Sequence, residues 1–200
     1  MESTKDIPSF SGGQAGKKFE EITLQRLKKI EDRGEGCFGR YGVQFAVTGR
    51  NPDGTATGHV MQSLPDFEGV LSPTGRHVIW DNKVTSQASF DLSPYRMSTK
   101  GKKRRQFEHM MRRSVSGAIC GFLIHWNERE TKTRKDKAIT YWLPVHASMR
   151  LWREFDCGEL KTLRRDHCEA HGYEVEWNKY ERERKYRPDL LGVLKLIDCL

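Results

Sequence analysis

The sequence predicts an α/β domain in which helices flank a mixed central sheet, followed by a C-terminal extension. Three observations predict it. Phe19, Ile22, Leu27 and Ile30 recur at helical spacing near the start of the chain. Two apolar runs, 65–71 and 78–84, flank Ser72-Pro73-Thr74-Gly75 and read as a β-hairpin with a four-residue loop. Ala118 to His125 is a nearly continuous apolar run, the pattern of a strand buried on both faces.

Taken in order, residues 1–14 are polar, rich in Ser and Gly and without periodicity, which predicts a flexible N-terminus. An amphipathic helix is expected from about Gly16 to Asp32, closed by Gly34, with Glu20 beside its apolar stripe. Tyr41 to Thr48 is rich in strand formers. Gly49 to Leu64 carries Gly, Thr, Asn and Asp and reads as a long connection or protruding hairpin. After the 65–84 hairpin, Thr85 to Lys102 is a polar loop ending in a basic run, and a helix is expected from about Lys103 to Ser116. The 118–125 strand follows, then a charged turn over 127–137 and a returning strand over 138–145. The order helix, three strands, helix, two strands is that of an α/β layer. Beyond Pro144 the character changes: His146 to His171 reads as helical, Tyr173 to Trp177 as a short strand, and Leu190 to Leu200 as an apolar segment able to dock on the core. The expected organisation is a core over 15–145 and a helical extension over 146–200.

Composition narrows the function. The chain of 200 residues has 35 Lys and Arg against 27 Asp and Glu, a net charge of +8. Such a field favours a polyanionic partner, nucleic acid or an anionic membrane surface. No run approaches the ~18 apolar residues of a membrane span, and the N-terminus lacks the apolar centre of a signal peptide. A soluble intracellular protein is the expectation. The five scattered cysteines read as reduced thiols. Cys157, His167, Cys168 and His171 offer nitrogen and sulfur ligands, but their spacing fits no pair-plus-pair zinc pattern, and they read as a helix with surface histidines. The three glycines of Gly34 to Gly39 lack the lysine and helix start of a phosphate-binding loop.

The chemistry concentrates in the hairpin. A turn centred between Pro73 and Thr74 pairs Leu71 with Arg76 and, further out, Asp66 with Asp81. Opposed residues lie on one face with Cβ atoms roughly 4.5–5.5 Å apart. Strand period two puts Lys83 on the Asp81 face and turns Asn82 away; Glu68 shares the Asp66 face. Facing carboxylates are destabilising unless something positive joins them. A divalent metal would do so, and a lysine beside it completes a hydrolytic site. The alternative is a solvated strand face with ordinary surface charges. Of the basic stretches, Lys100–Arg105 abuts Gln106 and reads as a DNA contact, Arg112–Arg113 as a second supply of phosphate contacts, and Lys132–Lys137 as a hairpin tip. Trp126 and Trp142 read as packing aromatics.

The Pro-Asp…Asp-x-Lys signature in this element order resembles the PD-(D/E)XK nuclease superfamily. Within it the chain resembles the RecU-type Holliday junction resolvases of low-GC Gram-positive bacteria and their phages. The resemblance runs from about Gly16 to Val145. It rests on Gly16-Lys17-Lys18-Phe19-Glu20, Asp66-Phe67-Glu68-Gly69-Val70, Asp81-Asn82-Lys83, Ser89-Phe90-Asp91-Leu92 and Gln106-Phe107-Glu108-His109-Met110. It implies a restriction-endonuclease-like core and a homodimeric, metal-dependent DNA endonuclease that cuts four-way junctions in the bacterial cytoplasm.

By position, the resemblance implies that Asp66, Asp81 and the main-chain carbonyl of Asn82 hold Mg2+, with Mn2+ as a substitute. Lys83 would stand beside the attacking water, as a base or as a cation. Glu20 would be an accessory acid and Gln106 would lie near the scissile strand. Lys100, Lys102, Lys103, Arg104, Arg105 and Arg113 would contact DNA. Two features depart from the family: Asp81 stands where close relatives have Glu, and Gly49–Leu64 is shorter than the family's stalk. A general duplex nuclease or nickase, and a catalytically silent DNA-binding scaffold, are the alternatives.

Overall fold

The structure is a computed structural model that describes residues 7–10, 12–40, 44–62, 65–95, 101–131, 135–145, 151, 153–154, 157, 159–180 and 185–199. Helix α1 (Ala15–Glu31) buries Phe19, Thr23, Arg26, Leu27 and Ile30 along one stripe. It ends where Gly34, at φ +70°, gives its N–H to the carbonyl of Glu31. Only glycine adopts that left-handed conformation without strain. Strand β1 (Gly36–Arg40) follows. Strands β2 (Gln44–Arg50) and β3 (Ala56–Gln62) pair with each other in a two-stranded sheet, so residues 49–62 belong to a hairpin, and 63–64 lie outside the described set. Of the strand expected over 41–48, residues 41–43 lie outside the described set.

Strands β4 (Phe67–Leu71) and β5 (Arg76–Thr85) form the expected hairpin, with Leu71 opposite Arg76 and Phe67 opposite Trp80. Its turn closes with Gly75, at φ +73°, donating to the carbonyl of Leu71 at 2.9 Å. Strand β6 (Ser89–Asp91) and a 3-10 turn (Ser93–Tyr95) lead to helix α2 (Lys102–Val115). The helix carries the chain over the sheet to β7 (Ile119–Trp126), which runs parallel to β5 and is buried at every position. A parallel neighbour needs such a crossover. The short pair β8 (Arg129–Glu130) and β9 (Lys135–Asp136) precedes β10 (Ile139–Pro144), antiparallel to β7.

Further along come β11 (Thr162–Arg164), α3 (Arg165–His171), β12 (Tyr173–Glu174), the paired strands β13 (Trp177–Tyr180) and β14 (Lys185–Pro188), and α4 (Leu190–Asp198). The central sheet is mixed, in the order β1-β4-β5-β7-β10-β12. Strand β11 stands where the local pattern predicts helix. It pairs with β6, placing Leu163 opposite Phe90, and that long-range ladder overrides local propensity. Residues after 145 thus add β12 to the edge of the central sheet and form the separate β6–β11 ladder, as well as contributing helices.

The sheet separates two apolar layers. On one side Val78, Trp80, Leu123 and Trp142 pack with Phe19, Leu27 and Ile30 of α1 and Leu190, Leu194 and Ile197 of α4. On the other, Ile79, Phe122, Ile124 and Leu143 pack with Phe107 and Met110 of α2 and with Tyr95. Odd-numbered β5 residues therefore face α2, and even-numbered ones face α1. That alternation positions the candidate site. Among the described residues no helix is long and apolar enough to cross a membrane.

Candidate metal and phosphodiester site

Asp66 stands one residue before the Phe67↔Trp80 pair that ends the β4–β5 ladder, with its carboxyl close to that of Asp81. Asp81 and Lys83 project from β5 toward α2. The Asp81 side chain is 0% exposed and Lys83 15%, and the Lys83 ammonium contacts Asp81 Oδ2. Asp81 Oδ1 is buried without a hydrogen-bond donor among the described residues. Asp66 Oδ2 accepts from the Asn82 main-chain N–H at 2.8 Å. The two sides of β5 thus do different work at adjacent residues.

Asn82, turned the other way, locks the strand to α1. Its Nδ2 donates to Thr23 Oγ1 at 3.0 Å, and its Oδ1 accepts from Trp80 Nε1 at 3.1 Å. Thr23 Oγ1 in turn donates to the carbonyl of Phe19. Every partner here is buried, and unpaired polar groups in that layer would each cost on the order of 1–3 kcal/mol. The lock fixes the backbone that carries Asp81 and Lys83.

The charges are strained against one another. Burial and the neighbouring Asp81 charge push the Asp66 carboxyl well above the usual carboxylate range, against the pull of Lys83 and the Asn82 N–H. Burial acts to lower the Lys83 pKa, but the charges of Asp81, Tyr95 and Asp66 outweigh it and hold the ammonium above its ordinary value. With Asp66 inclined to keep its proton, Lys83 balances Asp81 in the metal-free site, and a cation bound here would take the place of the Asp66 proton. Two hard, buried carboxylates brought together are a donor set that an oxygen-seeking divalent cation fits. Asp66 and Asp81 are two carboxylates, and no group of three or more His, Cys, Asp or Glu that could hold a metal occurs among the described residues. A cation held here would complete its shell with main-chain carbonyl oxygen and water.

The other predicted residues divide. Glu20 forms an ion pair with Arg40 at the end of β1, at 3.1 Å. It lies one helical turn before Thr23. Gln106 is buried on α2. Arg104 turns inward, bonding Glu108 Oε1 and the carbonyl of Tyr95, whereas Lys103 and Arg105 are exposed. Arg113 reaches His77 Nδ1 at 3.2 Å, and His77 pairs with Glu68 at 3.5 Å. Lys100 lies outside the described residues, as does the side chain of Lys102. The Cys157/His167/Cys168/His171 group does not form a ligand cluster among the described residues, and the Cys168 thiol is buried with its pKa pushed up to about 12 by burial.

Two residues at the site escape sequence reading. Thr23 reads as one more helical position until its partner Asn82 is in place. Tyr95 lies in the 3-10 turn, where no periodicity marks it, yet it is fully buried and lines the same apolar wall as Lys83.

No family model and no curated protein matches the chain. Among solved structures it is similar to a Holliday junction resolvase from the archaeal hyperthermophile Archaeoglobus fulgidus, with 15% identity and a TM-score of 0.43 over 80% of this chain and 95% of that one.

Proposed function

We propose that the chain is a metal-dependent endodeoxyribonuclease that cleaves phosphodiester bonds at branched DNA, in the manner of a Holliday junction resolvase. The observation that carries this reading is Asp81: fully buried, ion-paired through Oδ2 with the Lys83 ammonium, and facing a second carboxylate. A fold does not keep such an arrangement for stability, since facing buried carboxylates cost free energy. The resemblance of the signature residues and the +8 net charge support DNA as the substrate class.

Asp66, Asp81 and the Asn82 main-chain carbonyl would hold Mg2+, with Mn2+ able to replace it. A bound divalent ion supplies Lewis-acid stabilisation of phosphoryl oxygens and a more acidic water. The chain's own residues do the rest. Lys83, paired with Asp81 in the metal-free site, would neutralise charge as it builds on the phosphoryl group and orient the attacking water. The Asn82–Thr23–Trp80 lock keeps the site from shifting as the strand is loaded. Lys103, Arg105 and Arg113 lie on α2 and would meet the DNA backbone, with Lys100 and Lys102 extending the same basic segment. Glu20 and Gln106 would act at the edge of the site. Two symmetric incisions across a junction need two such sites, hence a homodimer, working in the bacterial cytoplasm whether encoded by the cell or by a phage.

A second reading, cleavage of ordinary duplex, is favoured by the β2–β3 hairpin. Strands of seven residues span on the order of 20 Å, a short stalk for threading a junction centre. A labelled four-way junction and a matched linear duplex, each incubated with Mg2+ and with EDTA, separate the readings. Paired cuts near the junction centre, absent from duplex and from EDTA, are expected. Equal cutting of both substrates would replace junction selectivity with general nuclease activity, and binding without any cutting would leave a silent scaffold.

A further inference from the structure

We infer that His77 and Glu68 are positioning residues for Arg113, holding its guanidinium in place for a DNA phosphate without neutralising it. The inference rests on the reading of Asp66, Asp81 and Lys83 as a hydrolytic centre that takes DNA. Alternation along β5 turns His77, Ile79, Asp81 and Lys83 toward α2, and Glu68 joins that side from β4, opposite Ile79. His77 stands four residues before Asp81. At strand spacing that is about 13 Å, about the axial rise of four nucleotides. A cation anchored there meets the same DNA strand as the centre, a few phosphates away.

The contacts fix which nitrogen does what. Arg113 Nη2 lies 3.2 Å from His77 Nδ1. A guanidinium has donors only, so Nδ1 accepts and the neutral imidazole carries its proton on Nε2. That N–H points at Glu68 Oε2, 3.5 Å away. A carboxylate bonded directly to Arg113 would cancel its charge. A neutral ring between them fixes the guanidinium and leaves it charged, with N–H groups to spare for a phosphate. Arg113 is exposed, and among the described residues it forms no ion pair with a carboxylate. Arg104, on the same helix, is the contrast: Glu108 Oε1 at 2.9 Å and the Tyr95 carbonyl at 3.0 Å use it up inside the fold. Stability does not account for the His77 chain, since its side chains are 27% and 36% exposed at His77 and Glu68, and exposed pairs contribute little.

Binding of a four-way junction in EDTA, read through a double-mutant cycle, tests the inference apart from cleavage. His77→Phe deletes both contacts and should weaken binding about 5-fold in the wild-type background, the worth of about one hydrogen bond. Added to Arg113→Ala it should weaken binding less than about 2-fold. Arg113→Ala alone should lower the slope of log affinity against log salt by about 0.9, the share of one phosphate. His77→Gln, whose amide can accept from Arg113 and donate to Glu68, should bind as wild type does. Equal weakening by His77→Phe in both backgrounds, an unchanged salt slope in Arg113→Ala, or His77→Gln as weak as His77→Phe would overturn the inference. His77→Ala takes the place of His77→Phe, with the same outcomes, should the latter not fold. Protein that never cuts in Mg2+ yet shows the coupling would sink the nuclease reading and leave the positioning role standing; protein that cuts without the coupling would do the reverse.

Discussion

Replacing Asp66 with Asn probes the electrostatics of the site without substrate or metal. Asp66 is pushed up to about 8, first by burial and next by the Asp81 charge, with Lys83 and the Asn82 N–H offsetting part of it. A carboxyl raised in this way contributes stability that is fully present below the unfolded pKa, near 3.9, and lost as pH climbs through about 8. From 3.9 to pH 7 is about three units, or ~4 kcal/mol at 1.36 kcal/mol per unit. Asp66 is partly open to solvent, and screening reduces the expected effect to about 1–2 kcal/mol. Asn keeps an oxygen for the Asn82 N–H, which now sits 2.8 Å from Oδ2, and carries no charge. The variant should therefore be more stable than wild type by about 1–2 kcal/mol at pH 7 to 8, and equal to it at pH 4. For a chain of 200 residues that is a Tm gain of about 2–8 °C. Calorimetry in EDTA at pH 4, 6 and 8 reads it directly. His125 shifts stability in the opposite sense over part of this range, but it does so in both proteins and drops out of the difference. A variant no more stable than wild type at pH 8, or a gain that does not change with pH, would refute the reasoning.

Three further outcomes follow from the same contacts. Lys83→Ala leaves the Asp66–Asp81 pair with no lysine between them, and the metal-free protein should lose about 3 kcal/mol in a denaturant melt at neutral pH. Burial depresses the His125 pKa to about 4, so its contribution is present above the unfolded value near 6.5 and lost as pH falls through about 4. His125→Phe, which retains the ring packing on Phe10, Phe19 and Trp177, should flatten that acid-side loss in a pH series of melts, whatever it costs through the lost bond to Thr140. A Cβ at Gly121 would lie 2.6 Å from Trp142 Cε2, and that indole is fully buried. Gly121→Ala should thus destabilise by about 1–3 kcal/mol, the usual range for overpacking, measured by urea unfolding.

Elements whose signals are local were legible in the sequence. Helix α1 and its Gly34 stop follow from spacing and from a residue that alone tolerates the left-handed region. The β4–β5 register follows from turn chemistry, and with it the facing of Asp66 and Asp81 and the placing of Lys83 beside them. The mixed sheet follows from a buried run, β7, set after a helix. Features made by distant partners were not legible. Strand β11 exists because β6 is there to pair with it, and Arg104 looks like a free surface cation until the Tyr95 carbonyl and Glu108 take it up. Thr23 and Tyr95 carry no motif, since Asn82 reaches the one and the Arg104 side chain clamps the other across the fold. Sequence patterns give faces and registers; they do not give which side chain of one element meets which of another.

Asp81→Asn, compared with wild type on the four-way junction in Mg2+, bears most directly on the account, provided binding and cleavage are measured on the same preparations. The account predicts junction binding retained or tightened, with cleavage lost. Cleavage continuing at the wild-type rate would contradict it and remove the Asp66–Asp81–Lys83 cluster as the reactive centre.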